Sequence, residues 1–227
     1  MNGCVITGTG TGVGKTVVAA AIVAALTTRG LDVAPVKPVV TGLDEPDPGR
    51  PLDHELLSAA TGGRRTPDDI TQLTFGPAVS PHLAAELAGV TVEPAALVAA
   101  ARAAAAGADI VVGEGAGGLL VPITGGYLMR DYALDLGLPL VIAARPGLGT
   151  INHTLLTIES ARAAGLRVLG VVLTPWTEEP DAVQRSNRET IARLGRVEVA
   201  TLPSVGVAAD ELAVAGAGLP LERWLGL

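Results

Sequence analysis

One cysteine, Cys4, is all the chain carries, so no intramolecular disulfide and no cysteine-rich metal cluster can form. Aromatics are nearly as scarce: Phe75, Tyr127, Tyr132, Trp176 and Trp224 are the only ones in 227 residues. That poverty argues against base-stacking recognition of single-stranded nucleic acid. Positive charge is short as well. Sixteen Lys and Arg stand against 23 Asp and Glu, a net charge of −7, which argues against a broad phosphate-backbone footprint. The apolar run at 16–26 is too short to span a bilayer and is bracketed by Lys15 and Arg29. The N-terminus has no basic region followed by an apolar stretch and a cleavage site. The expectation is a cytoplasmic protein with no nucleic-acid and no membrane partner, in which Cys4 fills core.

What is present is aliphatic. Apolar residues make up 48%, enough for a sizeable core, and the length suits one α/β domain over residues 1–227. No internal repeat appears. Short β-branched runs alternate with longer helical ones. Strands are expected at 4–7, 32–36, 109–113, 138–144, 167–173 and 197–202. Helices are expected at 15–29, 93–106, 151–164 and 180–194. The strands are continuous apolar runs, which indicates a parallel sheet covered on both faces. The β-α-β-α order predicts a three-layer αβα, doubly wound fold. Residues 43–53, rich in Pro, Asp and Gly, read as a mobile surface loop.

In such a fold, ligands sit beyond the carboxyl ends of the strands. Five segments fall there: 8–16, 37–42, 114–118, 145–153 and 174–176. The first is Gly8-Thr9-Gly10-Thr11-Gly12-Val13-Gly14-Lys15-Thr16, between a strand and a helix. Its glycines let backbone N–H groups surround phosphate oxygens, and the helix N-terminus adds its dipole. Lys15 neutralises β/γ oxygens, and the Thr16 hydroxyl ligates Mg²⁺. The strict pattern wants glycine six residues before the lysine. Here that place is Thr9, and the glycine lies one earlier at Gly8, so the loop is a variant of the P-loop NTPase type.

A carboxylate from another strand end usually completes the Mg²⁺ shell. Glu114, leading into Gly115-Ala116-Gly117-Gly118, is placed for it. Asp53 has two open roles from its residues alone, metal ligand or helix N-cap. Lys37, at the end of the second strand, faces the phosphate loop and can stabilise charge on a transferring phosphoryl group. The alternative is a surface lysine ending a strand. Thr41 can hydrogen-bond a substrate.

Together these segments resemble the dethiobiotin synthetases, the ATP-dependent enzymes of biotin synthesis. The likeness runs over nearly the whole chain and includes Lys37-Pro38-Val39-Val40-Thr41-Gly42, Ser80-Pro81-His82 and Gly149-Thr150-Ile151-Asn152-His153. It implies a homodimer with sites near the subunit interface, and the substrates 7,8-diaminopelargonic acid, CO₂ or bicarbonate, and ATP. It implies catalysis by Lys15 and Lys37 through a carbamate and a carbamic–phosphoric anhydride, with no protein nucleophile. It raises Asp53 to a metal and nucleotide ligand beside Thr16 and Glu114. The nucleotide site it implies comprises Gly12, Val13, Gly14, Lys15, Thr16, Val17, Asp53, Glu114, Gly115, Ala116, Gly117, Thr174, Pro175, Pro203, Ser204 and Val205. Thr11, Lys37 and Thr41 would meet the diamine and carbamate. Gly149, Thr150, Ile151 and Asn152 would hold the distal carboxylate of the partner subunit's substrate at a helix start. His82 fits the family pattern either as a pocket residue or as a structural histidine in a tight turn. Neither it nor His54 or His153 has metal-ligand spacing.

One departure stands out. Well-known members read adenine with an Asn-Asp pair after the fifth strand. Here the stretch is Leu173-Thr174-Pro175-Trp176. Loose selectivity among nucleoside triphosphates is therefore expected. Rival classes fit less well. Partitioning ATPases carry a signature lysine where this chain has Gly10. A GTPase needs an Asn-Lys-x-Asp segment, which is absent. A nucleotide-dependent switch protein or a small-molecule kinase would ignore the diamine or leave a phosphorylated product.

Overall fold

The structure is a computed structural model describing residues 1–46 and 48–227. Position 47, within the loop expected at 43–53, lies outside the described residues. β1 (Gly3–Gly8), α1 (Lys15–Thr28) and β2 (Val33–Val36) come first. β3 (Val40–Thr41), α2 (Asp53–Ala60), α3 (Pro67–Ile70), β4 (Thr74–Phe75) and α4 (Pro81–Leu87) follow. Next are α5 (Pro94–Ala104), β5 (Ile110–Glu114), β6 (Pro122–Thr124), β7 (Tyr127–Leu128) and α6 (Met129–Leu136). Then come β8 (Leu140–Ala144), α7 (Thr150–Ala163), β9 (Val168–Trp176) and α8 (Ala182–Gly195). β10 (Glu198–Pro203), α9 (Ala209–Ala217) and α10 (Leu221–Leu225) come last.

Six strands form one parallel sheet in the order β10-β9-β8-β1-β5-β2. From β1 the chain goes first to β2 at one edge and later returns to insert β5 between β2 and β1. It then crosses to the other side and builds β8, β9 and β10. The order reverses at β1, so a crevice opens beyond its carboxyl end. Alternate side chains on each strand serve opposite faces. Cys4 and Ile6 join the layer with α1, α2 and α9, while Val5 joins the layer with α5 and α6. Ile142, Val171 and Leu173 pack with Ile158 of α7 and Ile191 of α8. Helices on both faces bury the strands, which explains their unbroken apolar runs.

Helix α1 lies under the phosphate loop and is buried along nearly its whole length. Its small side chains allow α9 to come close. A Cβ at Gly216 would stand 2.0 Å from the Ala21 carbonyl oxygen, so that approach requires glycine.

Three local expectations are refined. The fifth sheet strand does not end at Leu173 but runs to Trp176. Its neighbour β8 stops opposite Leu173, and β10 continues to pair Pro203 with Trp176. Pro175 thus sits where no β8 ladder bond is lost for want of an N–H. The tight turn expected at Ser80-Pro81-His82 is the first turn of helix α4, with Ser80 at the N-cap position. The pairs β3–β4 and β6–β7 were not expected, because two- and three-residue strands show no measurable period. No described helix is long and apolar enough to cross a membrane.

Candidate active site

The register Gly8↔Ala143 carries the chain from β1 into residues 9–14, and Thr9 N–H bonds the Ala143 carbonyl at 3.1 Å. Gly12 and Gly14 adopt φ of 69° and 93°, a left-handed backbone that disfavours side chains. Space is tight too. A Cβ at Gly8 would meet Val13 Cγ2 at 2.7 Å, and one at Gly14 would meet Thr174 Cγ2 at 2.6 Å. The shifted glycine at position 8 is therefore a packing requirement of this loop. The backbone N–H groups of residues 10–17 have no hydrogen-bond partner among the described residues. A run of free donors at the mouth of a buried helix is an anion cradle. Lys15 Nζ folds over it and donates to the Gly10 carbonyl at 2.9 Å.

Four side chains from separate elements meet beside that cradle. Thr16 Oγ1, in the first turn of α1, lies 2.8 Å from both Asp53 Oδ1 and Glu114 Oε1. Lys37 Nζ, one residue beyond β2, lies 2.8 Å from Asp53 Oδ2 and 2.8 Å from Glu114 Oε1. Lys37 is only 3% exposed and Glu114 is fully buried, so Lys37 is not a surface lysine. Asp53 is the first residue of α2, whose N-cap is Leu52. Its carboxylate serves Lys37 and Thr16, not its own helix end.

Burial and charge set the protonation. Burial lowers the Lys15 pKa, Lys37 adds to the depression, and Glu114 and Asp53 offset only part of it. Burial also disfavours charge on Lys37, but Glu114 and Asp53 together outweigh it and hold its pKa above the usual value. Burial pushes Asp53 up, yet Lys37, Thr16 and Lys15 prevail and bring it to about 2. For Glu114, burial dominates over Lys37 and raises the carboxyl. Its second oxygen, Oε2, is buried with no hydrogen-bond partner. Such an acceptor has lost water without compensation.

That orphaned oxygen, with the Thr16 hydroxyl and the Asp53 carboxylate, makes a donor set suited to a hard cation such as Mg²⁺. No cluster of three His, Cys, Asp or Glu gathers among the described residues to hold a metal by protein alone. Mg²⁺ does not need one, since it keeps waters and binds through one or two carboxylates plus substrate phosphates.

The other expected residues distribute as follows. Val13 is buried and Val17 half-buried, in the loop and the first turn of α1. Gly115 continues past β5, its N–H on the Ile6 carbonyl at 3.0 Å, and the Ala116 N–H meets Met129 Sδ at 3.4 Å. Gly117, with φ of 65°, turns the chain back. Thr11 is exposed at the loop, and Thr41 ends β3. Thr174 packs on Gly14, while Trp176 pairs in register with Pro203 and lies under Arg188, 5.9 Å from the ring centroid. Ser204 and Val205 follow β10. Gly149 is the N-cap of α7, and Thr150, Ile151 and Asn152 are its first residues, with no hydrogen bond to the lysine–carboxylate cluster among the described residues. The Thr150 N–H is engaged by Gly147 and its hydroxyl by Thr154, leaving the Ile151 and Asn152 N–H groups unpaired among the described residues. His82 Nδ1 lies 3.0 Å from Ser80 Oγ.

Two residues outside the expected set bear on the site. Arg145 bonds the Gly12 carbonyl of the phosphate loop, and Asn187 bonds the Pro146 and Gly147 carbonyls. A basic residue ending a strand inside the 145–153 segment was the available signal for Arg145. Nothing in the sequence near Asn187 points to it.

A parallel sheet with a phosphate-cradling loop at its switch point, followed by Lys and Thr and faced by the buried Glu114 and the partly exposed Asp53, defines a P-loop nucleoside-triphosphate protein. Solved structures agree on that fold. A ParA family ATPase from Chlorobium tepidum TLS superimposes with a TM-score of 0.56 at 13% identity, covering 96% of this chain and 91% of that one. The MinD cell division protein of Aquifex aeolicus gives 0.54 at 18%, covering 97% and 89%. At these identities the likeness is one of fold alone. Residues 2–208 match a family described as AAA domain. The ATP-dependent dethiobiotin synthetase of Anaeromyxobacter dehalogenans (strain 2CP-1 / ATCC BAA-258) is 46% identical over 204 residues, 89% of this chain and 90% of that protein. The ATP-dependent dethiobiotin synthetase of Rhodococcus jostii (strain RHA1) is 39% identical over 223 residues, 97% and 93%. The chain belongs to the ATP-dependent dethiobiotin synthetase family.

Proposed function

We propose that this chain closes the ureido ring of dethiobiotin from 7,8-diaminopelargonic acid, CO₂ and ATP. One observation carries the reading: Lys15 and Thr16 of α1, Lys37 beyond β2, Asp53 of α2 and Glu114 of β5 gather beside a cradle of free N–H groups. One substrate amine takes up CO₂ as a carbamate. A carbamate oxygen attacks the γ-phosphorus and ADP leaves, giving a carbamic–phosphoric anhydride. The second amine attacks the carbonyl carbon, loses its proton and expels phosphate. The substrate supplies every nucleophile, so the protein's work is positioning and charge. Lys15 and Lys37, both buried, place two cations beside the phosphoryl group. Thr16, Asp53 and Glu114 would hold Mg²⁺, which when bound neutralises phosphate charge as a Lewis acid.

Product from diaminopelargonate, ¹³C-bicarbonate, Mg²⁺ and ATP, read by mass spectrometry, will carry the label in dethiobiotin with one phosphate released per ring. Phosphate release that ignores the diamine, without a labelled ring, would sink the assignment. In the same assay CTP, GTP and UTP will replace ATP within about ten- to thirtyfold, because Thr174, Pro175 and the Trp176 face offer no more than one imperfect polar contact to a base. A preference above about a thousandfold would require a base reader other than these residues.

The active unit is a homodimer whose substrate carboxylate is held by the partner's α7. Free N–H groups at Ile151 and Asn152 suit an anion. Leu148 is 98% exposed at the helix entrance, and Leu156 is exposed on α7 itself, apolar surface that a second copy would cover. Mixing Lys15→Ala subunits with subunits altered at both Thr150 and Asn152, each pair inactive alone, will restore part of the activity through heterodimers. A fully active monomer by sedimentation would refute this arrangement.

A further inference from the structure

Arg145 directly follows β8 and reaches the phosphate loop because β8 lies beside β1 in the sheet. Its Nε and Nη2 donate to one acceptor, the Gly12 carbonyl, at 3.1 and 2.8 Å. A Cβ at Gly12 would lie 3.6 Å from Nη2, so the guanidinium sits close over a residue that has no side chain. A trans peptide is planar and its C=O and N–H point to opposite sides. Holding the Gly12 oxygen on Arg145 therefore turns the Val13 N–H away from Arg145. That N–H has no partner among the described residues. From behind, buried Asn187 of α8 donates to the Pro146 and Gly147 carbonyls at 2.9 and 3.1 Å, fixing the segment that carries the arginine.

We infer that Arg145 is a positioning residue for the phosphate loop: it locks the Gly12–Val13 peptide so that the Val13 N–H stays presented to a nucleotide phosphate, and Asn187 anchors it. The inference rests on the reading of residues 8–16 as a nucleotide loop. It adds a long-range clamp that neither the glycine spacing nor Lys15 supplies. The guanidinium's planar fork suits two bonds to one oxygen, whereas lysine offers a single point donor.

The test is calorimetric titration of ADP and of a non-hydrolysable ATP analogue, both with Mg²⁺, into wild type, Arg145→Met, Arg145→Lys and Asn187→Ala, with thermal melts alongside. Arg145→Met will weaken both nucleotides to the same degree, about tenfold, the scale of one charge-assisted hydrogen bond, with an unchanged melting temperature. Arg145→Lys will fall between Met and wild type, and Asn187→Ala will shift both nucleotides in the same direction. Should Arg145→Met fail to fold, the lysine and Asn187 variants decide. Wild-type affinity in the folded variants overturns the inference. So does a loss confined to the ATP analogue, since that pattern marks direct contact with the γ-phosphate. Wild type that does not bind ADP overturns it together with the loop reading. Wild type that binds ADP but makes no labelled ring overturns only the proposed reaction.

Discussion

Lys37→Ala will lower kcat by about 10²–10³, the loss expected when one preorganised cation, worth ~3–4 kcal/mol, no longer meets developing charge. The fold will survive. Lys37 neutralises Asp53 and Glu114 at 2.8 Å each. Asp53 is partly exposed, with 42% of its side chain accessible, and can be solvated once the lysine is gone. Glu114 is buried, but its carboxyl is already pushed above the usual range by that burial, so it can take a proton instead of standing as an unpaired charge. Lys37→Arg will not restore the rate, because a planar guanidinium is neither the size nor the shape of the buried ammonium. Steady-state kinetics at saturating Mg²⁺, nucleotide and diamine measure the effect, and circular dichroism checks the fold. Turnover within a few-fold of wild type would leave Lys37 as an ion-pair partner only. Lys15→Ala will lose turnover on a similar scale, since that lysine closes over the loop at the Gly10 carbonyl.

Glu114→Ala will lower stability by about 3 kcal/mol, because it strands the buried Lys37 cation with only a half-exposed Asp53. For a chain of this length that is a fall in melting temperature of roughly 6–12 °C. Glu114→Gln keeps the shape and an acceptor for Lys37 and Thr16, so its melting temperature will drop much less. Its defect will appear elsewhere, as a higher Mg²⁺ concentration for half-maximal activity, because a neutral amide holds a hard cation less well than a carboxylate. The two variants separate structural from metal-binding roles. An unchanged Mg²⁺ titration for Glu114→Gln takes Glu114 out of the metal set. An unchanged melt for Glu114→Ala shows that the Lys37–Glu114 pair contributes nothing net to stability.

The parts of the site that could be read from the sequence are those whose chemistry is local. The phosphate loop is one, since the glycines that free its N–H groups, the lysine and the threonine all lie within nine residues. Glu114 is another, because an acid between an apolar strand and a glycine run has few reasons to be there. Asp53 was undecided, and its residues alone left an N-cap and a ligand equally open. In the structure α2 begins at Asp53 itself with Leu52 as its N-cap, which removes the N-cap reading, and the carboxylate meets Lys37 and Thr16. Lys37 was weighed against an ordinary surface lysine, and only the depth at which β2 ends removes that alternative. The fifth strand was expected to end at 173, which left Trp176 outside the sheet. The strand continued because its β8 neighbour had already stopped.

By itself, the sequence determined the layered parallel architecture, the position of the phosphate loop and the residue types around it. Apolar periodicity, glycine spacing and strand–loop–helix order are short-range properties that survive without coordinates. Tertiary structure alone decided which side chains share oxygens. Thr16, Lys37, Asp53 and Glu114 are separated by up to 98 positions along the chain, and their meeting depends on strand order in the sheet. The same holds for Arg145, 133 positions from the Gly12 carbonyl it grips. Strands β1 and β8 become neighbours only when the chain crosses at the switch point, and no local pattern encodes that adjacency.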